Sequence, residues 1–269
     1  MFWLIITIME LLEAIIMGII QGIFEWLPVS SEGINSIVLL NFFNKSFTEA
    51  IYLSIWLHLG TMLSAMVFFR KTIYRLIKNL PKYRFNNNPE NKLTSFIFLT
   101  TLISGILGGT FLLLGVEKLN LPYYYAMLLI GGALIITGFL QLFANNENKI
   151  KSGLKVKDSF SLGILQGFSV LPGISRSGIT VSTLLLKNYS VEKSLKLSFI
   201  LSIPLVFGAE LGILLLEKVQ FNIYSLVSIF VAFIVGLISI NLFINFAKKI
   251  NFGIICLIIG VLSIVAAFI

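Results

Sequence analysis

Residues 159–186 read SFSLGILQGFSVLPGISRSGITVSTLLL, and this stretch decides how the chain folds. It is apolar, then broken by Pro, Gly and Ser, then apolar again. About twelve residues precede Pro172, which at ~1.5 Å per residue is only ~18 Å of helix. A bilayer core needs ~30 Å, so this segment does not cross. Two half-helices around a polar tip describe a re-entrant hairpin. Such a tip is tolerated at membrane depth only inside protein or beside a water-filled cavity. Residues 13–43, EAIIMGIIQGIFEWLPVSSEGINSIVLLNFF, have the same build.

The rest of the chain agrees that lipid is the solvent. Of 269 residues, 57% are hydrophobic and only 12% charged. Soluble domains carry about 25% charged residues, so a water-soluble globule and a disordered chain are both excluded. Apolar runs near twenty residues recur, which indicates helices and not the alternating strands of a barrel. The expected fold is therefore an all-α integral membrane protein, one membrane domain over residues 1–269. Spans are expected at 50–69, 95–114, 123–144, 197–216, 223–246 and 253–269, six in all. Residues 2–12 are expected to form an interfacial helix or to lengthen the first hairpin, with residues 2–9 read as mature protein rather than a signal peptide. The single cysteine, Cys256, excludes a disulfide within the chain.

Charge orients this arrangement. If both hairpins return to the side they entered, loops 70–92, 145–157, 187–196 and 247–251 share one face and hold sixteen of the twenty Lys and Arg. The opposite face holds Lys45, Lys118 and Lys218. The positive-inside rule places the sixteen in the cytosol. The excess of basic residues, a net charge of +8, is thereby assigned to an anionic leaflet and not to nucleic acid.

The hairpins also resemble each other. GIIQGIFEWLPVSSEG ends at Gly33 and GILQGFSVLPGISRSG ends at Gly178. Gln21-Gly22 matches Gln166-Gly167, and Pro28 matches Pro172. Three spans separate them, an odd number, so they enter from opposite faces. The expected architecture is an inverted-topology repeat, 13–122 against 123–269, with the two tips meeting near the midplane.

The tips carry chemistry. Arg176 is the one Lys or Arg placed inside the membrane by this reading, a position that demands a partner or ligand. Ser175, Ser177, Gly178 and Thr180 surround it, after Pro172-Gly173, where a new helix is expected to start. A guanidinium, hydroxyls, glycines and a helix N-terminus together describe a phosphate cradle. The first tip offers Glu25 and Glu32 around Ser30 and Ser31, with Gln21 one turn before Glu25. A carboxylate, hydroxyls and a facing arginine suit phosphoryl transfer. Either a serine attacks phosphorus with Glu25 as base, or Glu25 activates water. An ion pair between Glu25 and Arg176 is the plainer alternative, compatible with a resting site. His58 is expected to be a core or cavity-lining donor rather than a catalytic base. Pro204 is expected to kink its helix, Glu210 to pair or line the cavity, and Cys256 to serve packing.

At these residues the sequence resembles the undecaprenyl pyrophosphate phosphatase family, known for bacitracin resistance. QGIFEWLPVSSEG at 21–33 is similar to its first motif and LPGISRSGIT at 171–180 to its second. WLHLGTMLSA and LSFILSIPLVFGA resemble the helices that follow. The resemblance implies two re-entrant hairpins, six spans and often a homodimer. It implies removal of the terminal phosphate of a polyprenyl diphosphate, which recycles the glycan lipid carrier, with Mg²⁺ or Ca²⁺ as cofactor. By motif position it assigns Glu25, Ser31 and Arg176 to catalysis, with Gln21 and Ser30 as their neighbours. The substrate-binding set expected around them is Gln21, Ser30, Glu32, Gly173, Ser175, Ser177, Gly178 and Thr180; no metal ligands are assigned. Two departures stand out. The family usually has an acid at Gln21, and a histidine, proposed as catalytic, where this chain has Ile34. Glu32 is a candidate to take over the acid–base role. A flippase or transporter of a phosphate-bearing lipid is the alternative function, since broken half-helices at the midplane are also a transporter feature. A purely structural membrane partner is the third.

Overall fold

The computed structural model describes residues 2–86, 88–114, 121–144, 153–215, 222–246 and 251–268. All the regular structure among them is helical. In chain order the helices are α1 (Phe2–Phe24), α2 (Ser31–Phe42), α3 (Phe47–Phe68), α4 (Arg70–Asn79), α5 (Pro89–Leu114) and α6 (Tyr123–Phe143). They continue as α7 (Asp158–Gly167), α8 (Arg176–Leu186), α9 (Val191–Leu215), α10 (Ile223–Phe246) and α11 (Phe252–Ala266). Five helices are long and apolar enough to cross a membrane: α3, α5, α6, α9 and α10. They coincide with five of the six expected spans. The sixth, α11, is apolar but only 15 residues long. Residues 2–12 lengthen the first helix of the first hairpin, since α1 runs unbroken to Phe24. Helix α9 continues through Pro204. Much of the basic loop sequence, 145–152 and 247–250, lies outside the described residues.

Lipid gives helices no hydrophobic reason to associate, so close packing must do the work, and small residues permit it. On α6, Gly131 and Gly138 face Gly260 and Gly253 of α11. A Cβ on Gly131 would lie 2.7 Å from the Gly260 carbonyl, and one on Gly260 2.8 Å from that of Gly131. Helix α1 presses Gly18 and Gly22 onto α10, and α7 presses Gly163 and Gly167 onto α5 in the same way. Helix α3 lies between α9 and α10. Large apolar side chains such as Phe98, Ile106, Phe207, Phe230 and Ile238 remain exposed, as a lipid-facing surface requires. Helix α4 is different. It combines Arg70, Lys71, Arg75 and Lys78 with exposed Tyr74 and Ile77, the pattern of a helix lying in the membrane interface.

The two broken segments close on themselves by matching ion pairs. Glu13 near the middle of α1 pairs with Lys45 after α2, at 3.3 Å. Asp158 at the start of α7 pairs with Lys187 after α8, at 3.5 Å. Asp158 also accepts from the Tyr189 hydroxyl at 2.8 Å, and that hydroxyl accepts the Lys155 backbone N–H at 3.0 Å. Burial pushes the Tyr189 hydroxyl up to about 12, so it stays protonated and able to donate at neutral pH.

The two tips touch. Ser177 Oγ donates to the Leu27 carbonyl at 3.0 Å. A Cβ on Gly33 would stand 3.0 Å from Gly173 Cα. Gln141 Nε2 donates to the Pro28 carbonyl, and Cys256 Sγ reaches the same oxygen at 3.4 Å, so the cysteine serves to hold the first tip. Gly173 turns the second tip with φ +96, a conformation that a side chain strongly disfavours. A Cβ there would meet the Ile130 carbonyl at 2.5 Å and the Ala133 Cβ at 2.8 Å. Gly173→Ala is therefore expected to cost roughly 2 kcal/mol or more through strain and overpacking. Thermal unfolding in detergent would read this as a lowered midpoint, and an unchanged midpoint would contradict it.

Candidate active site

Where the tips meet, one carboxylate organises the surroundings. Glu25 follows the last turn of α1 and its side chain is 2% exposed. Its Oε1 is ion-paired with Arg176 Nη2, at the first residue of α8. Its Oε2 accepts from Ser31 Oγ at 2.7 Å and Gln21 Nε2 at 3.0 Å, and lies 3.1 Å from His58 Nε2. A buried charge survives only with such partners. Gln21 is fully buried and is held in turn by Asn35 Nδ2 at 2.7 Å and by Thr61 Oγ1 at 3.3 Å. It fixes Glu25 rather than facing the cavity.

The histidine completes the cluster from α3. Its Nδ1 lies 2.6 Å from the Ser54 carbonyl, which can only accept, so Nδ1 carries a proton and Nε2 is turned toward Glu25. That nitrogen is also 3.4 Å from Ser31 Oγ. A serine hydroxyl, a carboxylate and an imidazole thus converge within hydrogen-bonding reach, opposite a guanidinium. Arg176 donates its other arm to the Ser198 carbonyl at 3.3 Å, which fixes the direction of the fork.

Two helix N-termini aim at this place. Ser30 caps α2 by accepting the Gly33 N–H at 3.2 Å, and does so at φ +64, a strained value for a serine. Ser175 caps α8 by accepting the Gly178 N–H at 2.9 Å. The positive ends of both dipoles therefore reach the cluster.

A cavity of about 500 Å³ opens over it. Glu25, Ser31, Arg176 and His58 line it, as do Ser30, Glu32, Ser175 and Ser177. Four residues expected at the site stand behind its wall. Gln21 holds Glu25; Gly173 makes the turn; Gly178 packs near Thr137 and Gln141; Thr180 Oγ1 donates to the Arg176 carbonyl at 2.8 Å. Ile34 packs with Leu27, Val29 and Cys256, away from the cavity. Glu210 is buried on α9 without lining the cavity, and neither of its oxygens has a hydrogen-bond partner among the described residues.

Sequence reasoning gave His58 too little weight. A lone histidine in SIWLHLGTML carries no local motif, and only the packing of α3 against α1 and α2 brings it to Glu25. The sequence signal that was available is weak: a polar ring in an apolar span requires a partner.

This arrangement has known relatives. The family model of bacitracin resistance protein BacA matches residues 14–262. The chain belongs to that family. It is similar to a protein of Methanococcoides burtonii named undecaprenyl-diphosphatase, 43% identical over 263 residues, 97% of this chain and 99% of the relative. Relatives of the same name in Methanothrix thermoacetophila and Haloarcula marismortui are 34% and 33% identical, each match covering 95% of this chain and 96% of the relative. With five helices apolar enough to cross lipid, membership of this family makes the chain a multi-pass membrane protein.

Proposed function

We propose that the chain is a membrane phosphatase that hydrolyses undecaprenyl-type diphosphate to the monophosphate and inorganic phosphate, recycling a glycan lipid carrier. The observation that carries this reading is the convergence of Ser31, His58 and Arg176 on the Glu25 carboxylate at the floor of one cavity. The terminal phosphate docks against Arg176 and the N-termini of α2 and α8, which compensate its charge. Ser31 Oγ attacks the terminal phosphorus, and its proton passes to the Glu25–His58 pair it already touches. A phosphorus–oxygen bond to Ser31 forms while the bond to the bridging oxygen breaks, releasing polyprenyl monophosphate. Water then attacks the phosphoserine, inorganic phosphate leaves, and a proton returns to Ser31.

Between α5 and α9 the cavity is walled by Gly105, Gly109, Gly208 and Gly212, where a Cβ would meet nothing. That open, apolar space suits a prenyl chain. The oxygen donors at the first tip suit a hard cation such as Mg²⁺ or Ca²⁺, with Glu32 as the carboxylate and Ser30 beside it. Among the described residues no group of three His, Cys, Asp or Glu could hold an ion alone, so phosphate oxygens of the substrate complete the set. When bound, the ion offsets charge on the diphosphate.

The reading includes an inverted repeat of 13–122 and 123–269, with α1–α2 and α7–α8 as re-entrant hairpins and α11 as a sixth span. The matching ion pairs, Glu13–Lys45 and Asp158–Lys187, support it. Placement in the cell membrane and formation of a homodimer come with the family resemblance.

Phosphate release from a long-chain polyprenyl diphosphate by the purified protein, with and without Mg²⁺ or Ca²⁺, tests the proposal. A folded protein that binds the lipid without releasing phosphate would sink it and favour lipid translocation. In the same assay His58→Gln is expected to lower kcat about 10²-fold with little change in KM, since it keeps a donor for Glu25 and loses the ring that shares the proton. A loss below threefold would leave Glu25 as the sole acceptor.

A further inference from the structure

The two hairpins carry the same glutamine in different circumstances. Gln21 spends its amide on Glu25, Asn35 and Thr61. Gln166, its counterpart on α7, is followed four residues later by Val170 where Gln21 is followed by Glu25. A side chain at that spacing is the natural neighbour on a helix, and valine cannot pair. Gln166 is 1% exposed, and neither its Oε1 nor its Nε2 has a hydrogen-bond partner. It lines the cavity. Gly163 and Gly167 press this turn of α7 onto α5, where Thr101 also lines the cavity with an unpartnered hydroxyl. Two donors and two acceptors on buried groups facing an opening are costly unless a ligand meets them.

We propose that Gln166, with Thr101, forms a second, uncharged phosphate subsite, which holds the lipid-proximal phosphate of a diphosphate while Arg176 holds the terminal one. The proposal rests on the phosphatase reading and extends it to why the site selects a diphosphate. The amide donates to a non-bridging oxygen of the proximal phosphate, and the Thr101 hydroxyl donates to another or to Gln166 Oε1. A neutral subsite suits this phosphate, which remains on the lipid and must be released after the terminal group has gone. The charged residues stay with the phosphate that is transferred.

The test compares wild type with Gln166→Leu, using polyprenyl diphosphate as substrate and inorganic phosphate as competitive inhibitor. Wild-type turnover judges the phosphatase reading; the comparison judges the subsite. Gln166→Leu is expected to raise KM about tenfold, leave kcat within about threefold, and leave the inhibition constant of inorganic phosphate unchanged. Inorganic phosphate needs only the Arg176 end. An unchanged KM, or a KM and an inhibition constant that rise together, would overturn the subsite. Thermal stabilisation by inorganic diphosphate against orthophosphate needs no turnover. Wild type is expected to prefer the diphosphate and the variant to lose that preference; equal preference in both would again overturn it. Should Gln166→Leu fail to fold, Gln166→Asn withdraws the amide by one methylene and carries the same comparison.

Discussion

Arg176→Ala is expected to abolish phosphate release, a fall of at least ~10³-fold in kcat/KM. The guanidinium is the cation that the two tips aim at the cavity, and arginines that stabilise a transferring phosphoryl group are worth ~10³–10⁵ in rate. The substitution has a second effect. Glu25 is 2% exposed and would lose the partner of its Oε1. Removing one member of a buried pair costs about 3–5 kcal/mol, because the other charge is left without compensation. Activity and the unfolding midpoint should therefore fall together. Arg176→Lys separates the two. It keeps a positive charge beside Glu25 but loses the fork that also reaches the Ser198 carbonyl. A stable Lys variant with kcat/KM reduced about 10²-fold or more would show that planar phosphate recognition matters beyond charge. Wild-type activity in either variant would remove Arg176 from the chemistry.

Ser31→Ala is the other large effect, expected at ~10³-fold or more in kcat with the lipid still bound. The hydroxyl is the one group that touches both Glu25 Oε2 and His58 Nε2, at 2.7 and 3.4 Å. Without it the remaining residues still bind and polarise the phosphate, so residual turnover by water is expected rather than none. Stability should change little, since a methyl at this helix N-terminus removes one of several donors to Glu25. Acid quench of wild type during turnover should trap phosphate on Ser31. A Ser31→Ala enzyme within tenfold of wild type would assign the attack to a water held by Glu25, with Ser31 merely positioning it.

Several of these residues were legible without coordinates, and the reason is chemical. Arg176 could be singled out because a charge placed in an apolar hairpin is too costly to keep without a use. Glu25 and Ser31 followed from a carboxylate and hydroxyls at the matching tip. His58, Gln166 and Thr101 could not be found this way. Each sits in an ordinary apolar helix, and polar residues there are more often satisfied locally. What distinguishes Gln166 from Gln21 is the presence or absence of partners.

The sequence by itself determined the solvent, the helical class, two hairpins too short to cross and the opposed charges at their tips, because these depend on local composition and length. It did not determine which side chains meet. Tertiary structure decided that α3 delivers an imidazole to the first tip, that Ile34 turns away into apolar packing, and that four expected site residues stand behind the cavity wall. These outcomes depend on helix packing across more than a hundred residues, such as Gly18 and Gly22 on α10 or Ser177 on the Leu27 carbonyl. Contacts of that range are set by how closely whole helices approach, which no local pattern encodes.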